Sequence, residues 1–284
     1  MTPVVAVIAP GAMGGAVGKR LVDNGVTVLT SLDGRSEATR ARALAAGMTA
    51  AKDDDIARAD FILSILPPGD ALSLAQRFVP TLTASNAKPV YVDCNAINPR
   101  TVDRVAAVIA PTGSPFVDAG IIGQPPKSGD AGPRIYASGA AAPRVAALRD
   151  YGLDIRVLDG ALSAASALKM SYAGITKGTQ AIGAAMMLAA TRAGSADALM
   201  AELQLSQKEM LAWLKRQLTM MPPKAYRWVA EMQEIAGFVG DDRAARDLYE
   251  GAAEFYERFA EDFAASGKEA KALAGFLNKS SSSN

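Results

Sequence analysis

A single lysine interrupts the apolar run Ala161-Leu162-Ser163-Ala164-Ala165-Ser166-Ala167-Leu168-Lys169-Met170-Ser171-Tyr172-Ala173. A cation on such a helix is costly unless it is paired or stands at a cavity, and an amine held at a cavity is suited to proton transfer. Lys169 is therefore the candidate catalytic residue, weighed against a lysine that snorkels or is ion-paired. Few other side chains can do acid–base work, because the 284 residues include no histidine. Ser-His-Asp hydrolysis, histidine-based dehydrogenation and histidine-ligated metal sites are excluded, which leaves lysine, tyrosine, carboxylates, a thiol or water. Tyr172 comes near a Tyr-x-x-x-Lys pair, but position 176 is threonine and the lysine is Lys177, one residue too far.

A second constellation is Ala9-Pro10-Gly11-Ala12-Met13-Gly14, a glycine loop between a strand pattern and a helix pattern. Gly11 lets backbone approach a diphosphate, Gly14 permits close helix–strand packing, and the helix N-terminus offers N–H groups to anionic oxygens. Gly11, Ala12, Met13 and Gly14 are thus expected to hold a dinucleotide, although alanine replaces the first glycine of the fingerprint. At the end of the second strand, Thr30 occupies the position where an NAD site presents a carboxylate. Ser31, Arg35 and Ser36 are placed to grip a 2′-phosphate, with Arg40 nearby, so NADP is favoured over NAD. The competing reading puts Asp33 on the ribose and leaves Arg35 as a solvated charge.

Strand ends supply the rest of the expected site. Leu66-Pro67 follows one strand-like run and Asn95 another, where ligands sit in open α/β sheets; Asn98 reads equally as a helix cap before Pro99. Asp118-Ala119-Gly120-Ile121-Ile122-Gly123-Gln124-Pro125-Pro126 reads as a loop whose glycine N–H groups reach a small anionic or carbonyl ligand, or as a plain Gly-Pro connection.

The elements that must position these residues are legible as alternating patterns. Strands are expected at 4–9, 26–29, 61–66, 89–93, 116–119, 134–138 and 155–158, and helices at 13–24, 37–46, 70–79 and 99–109. This alternation predicts an α/β fold with a doubly wound, mostly parallel Rossmann sheet. From Ala161 the strand signals stop and the chain turns Ala-, Leu-, Met- and Glu-rich. Residues 1–160 are thus expected to bind the dinucleotide, and 161–284 to form an all-α substrate and dimerisation domain with a disordered end at 279–284. The helix over 161–192 is apolar on nearly every side, as a helix buried centrally or in a dimer would be.

Charge adds exclusions. Thirty basic residues against twenty-nine acidic ones give a net charge of +1, which offers no steering to nucleic acid or an anionic membrane. Cys94 is alone, which fits a reducing cytoplasm and a small core side chain. No signal-peptide pattern or span of about 18 apolar residues is found.

Together these motifs resemble the β-hydroxyacid dehydrogenase superfamily, which includes 3-hydroxyisobutyrate and 6-phosphogluconate dehydrogenases. Leu32-Asp33-Gly34-Arg35-Ser36, Gly120-Ile121-Ile122-Gly123 and Ala167-Leu168-Lys169-Met170-Ser171-Tyr172-Ala173 are similar to its branch with a distinctive helical C-terminal domain. The resemblance implies a homodimer that interconverts a β-hydroxy acid or related alcohol with its carbonyl, using Lys169 as general acid/base. It also implies that Asp118, Gly120, Ile121, Ile122 and Gly123 touch the substrate, with Tyr172, Arg227 and Trp228 contributing. Arg227 is then the partner of a substrate carboxylate, against its plain reading as a surface charge. Met186, Met187, Trp213, Met232 and Phe238 either line an apolar cleft or, individually more in keeping with their type, form helix core. The chain departs from the superfamily after the lysine, where Tyr172 and Ala173 replace the usual asparagine, and at Cys94 and Asn95, where serine is usual. An imine reductase of the same architecture is the near alternative, although such enzymes replace the lysine; a non-catalytic NADP(H) sensor is the distant one.

Overall fold

The computed structural model describes residues 2–279; residues 280–284, within the segment expected to be disordered, lie outside the described residues. The elements run β1 Val4–Ile8, α1 Ala12–Asp23, β2 Thr27–Thr30, α2 Glu37–Ala45, β3 Thr49–Ala50, α3 Asp53–Ile56, β4 Phe61–Ser64, α4 Ala71–Ala84, β5 Val90–Asp93, α5 Pro99–Ile109, β6 Phe116–Ile122, β7 Arg134–Ser138, α6 Ala142–Val145 and β8 Asp154–Val157. The helices α7 Ala164–Arg192, α8 Ala196–Ser206, α9 Lys208–Thr219, α10 Ala225–Phe238, α11 Arg243–Ala264 and α12 Lys268–Leu277 complete the chain.

The strands form one sheet in the order β3-β2-β1-β4-β5-β6-β7-β8. Pairing is parallel from β3 to β6, antiparallel between β6 and β7, and parallel between β7 and β8. Strands buried on both faces need apolar residues at successive positions. β1 shows the result: Val5 and Val7 join one core with Val28, Val90 and Val117, while Ala6 and Ile8 join the other with Ile62, Phe78 and Tyr91.

Two expectations are corrected here. The strand beginning at Phe116 does not stop at Ala119 but continues to Ile122, because β7 runs back along it and pairs Gly120 with Tyr136 and Ile122 with Arg134. The segment from Asp118 to Ile122 is therefore sheet, not loop. The short β3 and α3 were not expected; two and four residues carry too little periodicity to read.

The chain divides into two compact units at 1–170 and 171–284, ten residues beyond the change in composition. In the second unit every described element is helical, with Met187, Leu211, Leu214, Leu218, Met232, Tyr256, Phe259 and Phe276 in the interior. Glycines let its helices approach: a Cβ at Gly183 would stand 2.8 Å from Leu214 Cδ2, and one at Gly174 2.9 Å from the Tyr249 hydroxyl. Among the described residues, no helix is long and apolar enough to cross a membrane.

Candidate active site

In an open parallel sheet, ligands collect outside the carboxyl ends of the strands. Four segments of the first unit meet there: the loop after β1, Leu66 after β4, Asn95 after β5, and the part of β6 beyond Asp118.

Gly11 caps α1 in extended conformation without a side-chain bond, and the first bond of the helix runs from the Gly15 N–H to the Gly11 carbonyl. The N–H groups of Ala12, Met13 and Gly14 precede that bond, so the helix offers them to an acceptor beyond its end. A Cβ added at Gly11 would meet nothing within 4 Å, whereas one at Gly14 would lie 2.1 Å from the Ala9 carbonyl oxygen. Gly14 thus seats the helix on the strand and Gly11 leaves open space over the donors, an arrangement that fits a diphosphate. Beside it lies a cavity of about 250 Å³ whose lining includes Gly11, Ala12, Lys19, Arg42 and Lys127. Arg42 donates from Nε to the Pro10 carbonyl at 3.0 Å, which turns a basic side chain toward the glycine loop. Arg35 and Arg40 mark this loop in the sequence and Arg42 does not stand out beside them; its only signal is the i, i+3, i+6 spacing of Ser36, Thr39 and Arg42 on one helix face.

The residues expected to grip a 2′-phosphate separate. Thr30 and Ser31 are buried: Thr30 donates to the Val7 carbonyl at 2.8 Å, and Ser31 accepts from Arg77 at 2.7 Å. Arg77 in turn holds both oxygens of Asp53 at 2.8 and 2.6 Å. Ser36 caps α2 through the Thr39 N–H, while Arg35 is half-buried and Asp33 exposed. Thr30 and Ser31 are engaged within the protein, and any recognition at this edge falls to Arg35, Ser36 and their neighbours.

Asn95 is likewise engaged. It donates to Ser64 Oγ at 2.9 Å and accepts the Leu66 N–H at 2.5 Å, tying the end of β5 to the chain leaving β4. Pro67 beyond it is exposed, and Asn98 caps α5. Cys94 is buried, and burial pushes its thiol up, so it is an inert core group.

Asp93 and Asp118 stand in register on β5 and β6, both fully buried. Burial, helped by the charge of Asp118, raises Asp93 to about 7 against the Asn95 N–H that it accepts at 2.9 Å. Burial raises Asp118 to about 6, opposed by hydrogen bonds from Ser166 and Ser138. Asp118 is therefore an internal acceptor, which corrects its expected place against substrate. Ile121 and Ile122 are also buried, and Gly123, just beyond the strand, is exposed with φ +136°.

The buried carboxyls have a consequence for stability. An unfolded aspartate ionises near 3.8, whereas folded Asp93 keeps its proton to about 7. Between those values the native state holds a proton that the unfolded chain has released. The stability that Asp93 contributes is therefore fully present below about pH 4 and is lost as pH rises through 7. Asp93→Asn should flatten this fall, measured as urea unfolding free energy against pH, leaving the smaller slope of Asp118; a slope equal to the parent's would refute the assignment.

Lys169 is half-buried on α7, and its Cβ stands 3.0 Å from the position a Cβ on Gly120 would take. It therefore lies over β6 two residues beyond Asp118, where the parallel pairing with β5 ends. In the second unit Tyr172 is 46% exposed, and Arg227 is exposed with its guanidinium over the Tyr226 ring. Trp228 is half-buried, edge-on to Tyr256 at 5.2 Å and beneath the Lys177 ammonium at 5.1 Å. Lys177 pairs with Glu231, and its carbonyl accepts the Tyr256 hydroxyl at 2.6 Å. Met187 and Met232 are core, Trp213 and Phe238 half-buried, and Met186 exposed. The sequence carries a signal for the Lys177–Glu231 pair only in that Lys177 breaks the same apolar helix as Lys169.

The chain matches the family model of the NAD-binding domain of 6-phosphogluconate dehydrogenase over residues 4–149 and a domain of unknown function over 190–259. An uncharacterized 28.5 kDa protein of Methanothermus fervidus is 30% identical over 181 residues, 63% of this chain and 68% of its own. A solved conserved protein of unknown function, described as structurally similar to 3-hydroxyacid dehydrogenases, is 28% identical with a TM-score of 0.70, over 95% of this chain and 98% of the other. The 3-hydroxyisobutyrate dehydrogenase of Mycobacterium tuberculosis, solved with L-serine, shares the fold at 20% identity and a TM-score of 0.69, over 98% and 100% of the two chains. With its first half matched by that NAD-binding model and a helical domain following it, the chain belongs to the 3-hydroxyisobutyrate and 6-phosphogluconate dehydrogenase-like superfamily, in the branch with a helical C-terminal domain.

Proposed function

We propose that the protein is an NAD(P)(H)-dependent oxidoreductase that interconverts a β-hydroxy acid or related alcohol and its carbonyl, with Lys169 moving the proton. The observation that carries this reading is Lys169 standing over Gly120 at the carboxyl edge of the sheet, the edge that also carries the Gly11 loop. Ala12, Met13 and Gly14 would hold the diphosphate through their N–H groups, with Arg42 adding positive charge beside it. Hydride exchange is the chemistry that a bound nicotinamide supplies. The Lys169 amine takes the hydroxyl proton as an alcohol is oxidised, and the ammonium returns it to the oxygen as a carbonyl is reduced.

Several features support NADP as the preferred cofactor: Arg35, Ser36 and Arg40 flank the end of β2, and its last residue is threonine. A homodimer is supported by Tyr172, Ile175, Ile182 and Met186, which leave large apolar side chains exposed along α7. Retention of a lysine at 169 favours alcohol over imine chemistry.

The test is a titration with NADPH and with NADH, followed by oxidation assays on 3-hydroxyisobutyrate, L-serine and other 3-hydroxy acids. Tighter NADPH binding and NADP-dependent turnover of a 3-hydroxy acid are expected. Cofactor binding with no turnover across hydroxy acids and carbonyls would replace this reading with a dinucleotide sensor.

A further inference from the structure

Resting on the reading of Lys169 as the proton-transfer group, we infer that Asp118 positions this lysine. With Ser138 it grips the first turn of α7, and Gly120 on the same strand leaves the gap that Lys169 occupies. Asp118 and Ser138 are register partners on β6 and β7, both fully buried. The two carboxylate oxygens of Asp118 accept the Ser166 N–H at 2.7 Å and the Ser166 hydroxyl at 2.6 Å, with the Ser138 hydroxyl farther off at 3.5 Å. Ser138 Oγ donates to the Leu162 carbonyl at 2.7 Å and accepts the Ala165 N–H at 2.9 Å. These contacts supply partners for N–H groups that a helix start leaves without intrahelical acceptors, and they put negative charge where the helix dipole favours it.

Two bonds to one residue do more than anchor. A single cap lets a helix roll about its axis, but a carboxylate that takes both the N–H and the hydroxyl of Ser166 fixes the roll. Lys169 follows three residues later, one turn along and on the adjoining face. Gly120 sets the height, being on the same face of β6 as Asp118. A Cβ there would lie 2.8 Å from the Ala165 carbonyl oxygen and 3.0 Å from Lys169 Cβ. Roll and height together fix where the Lys169 side chain begins. Asp118 itself is sealed beneath the helix.

The experiment uses the full chain with its lysines dimethylated by ¹³C-formaldehyde, the Lys169 resonance being the one that Lys169→Met lacks. Asp118→Asn and Ser166→Ala are compared with the parent and with Phe78→Leu, a core lesion on α4. Both test variants should shift or broaden the Lys169 resonance, while Phe78→Leu leaves it in place. With 3-hydroxyisobutyrate as probe, they should lower kcat about tenfold, as expected for a displaced catalytic group, with KM for NADP unchanged. Should Asp118→Asn not fold, Ser166→Ala carries the test. An unmoved resonance, an equal shift in Phe78→Leu, or a rise in substrate KM at constant kcat would overturn the inference. Full activity in Lys169→Met would instead overturn the reading on which it rests, and the resonance alone would then decide whether Asp118 holds Lys169.

Discussion

Lys169→Met should lower turnover of a 3-hydroxy acid by about 10²–10⁴-fold, the usual contribution of a positioned acid or base, while leaving NADPH affinity within about twofold. The loss belongs to kcat because the amine acts on the proton in flight. The cofactor contacts proposed above come from backbone donors on α1 and from side chains at Arg35, Ser36, Arg40 and Arg42, none of which this substitution removes. Methionine has a similar length and apolar stem, so the packing of the stem against Gly120 is kept while the ammonium is removed. Stopped-flow nucleotide fluorescence and steady-state turnover separate the two quantities. Loss of affinity together with turnover would make Lys169 a cofactor ligand, and unchanged turnover would remove it from the chemistry.

Gly14→Ala has the second largest expected effect, and it reaches function by a different route. The added methyl would meet the Ala9 carbonyl oxygen at 2.1 Å and its carbon at 3.1 Å. Both are main chain, so no side chain can swing away. Either α1 lifts from β1 or the glycine loop moves, and overpacking of this kind costs roughly 1–3 kcal/mol. At about 2–4 °C per kcal/mol for a domain of this size, the thermal midpoint should drop by several degrees. The donors of Ala12 and Met13 move with the helix, so NADPH affinity should fall by about tenfold or more. Gly11→Ala is the matching control, since its methyl meets nothing within 4 Å. It should leave the melting temperature alone and weaken only the nucleotide. Equal melting temperatures for Gly14→Ala and the parent would refute the packing argument.

The first βαβ unit was legible because its signals are local: a β-branched run, a glycine turn, then a helical pattern. The same holds for α5, where Asn98 and Pro99 mark cap and first turn, and for the change to helices after Ala161. What escaped reading depends on pairing across long separations. Asp118-Ala119-Gly120-Ile121-Ile122 looks like a loop because of its glycine, yet it is strand because β7 returns beside it. Ser31 looks like a phosphate ligand until Arg77, 46 residues later, occupies it. Asp118 reads as close to a strand end, where ligands are expected, and nothing in its neighbourhood announces that Ser166 will close over it. Lys169 stood out by contrast, since one charge in an apolar run has to be accounted for wherever the chain goes. That helix, expected to be buried centrally or in a dimer, leaves Tyr172, Ile175, Ile182 and Met186 exposed.

The central claim, that one amine at position 169 transfers the proton, is tested most directly by chemical rescue. A Lys169→Ala variant assayed with NADP and a 3-hydroxy acid should regain turnover as small primary amines are added, the gain following the concentration and basicity of the amine. A variant that turns over like the parent without any amine would contradict the claim, as would an inactive variant that no amine revives while its NADPH binding stays intact.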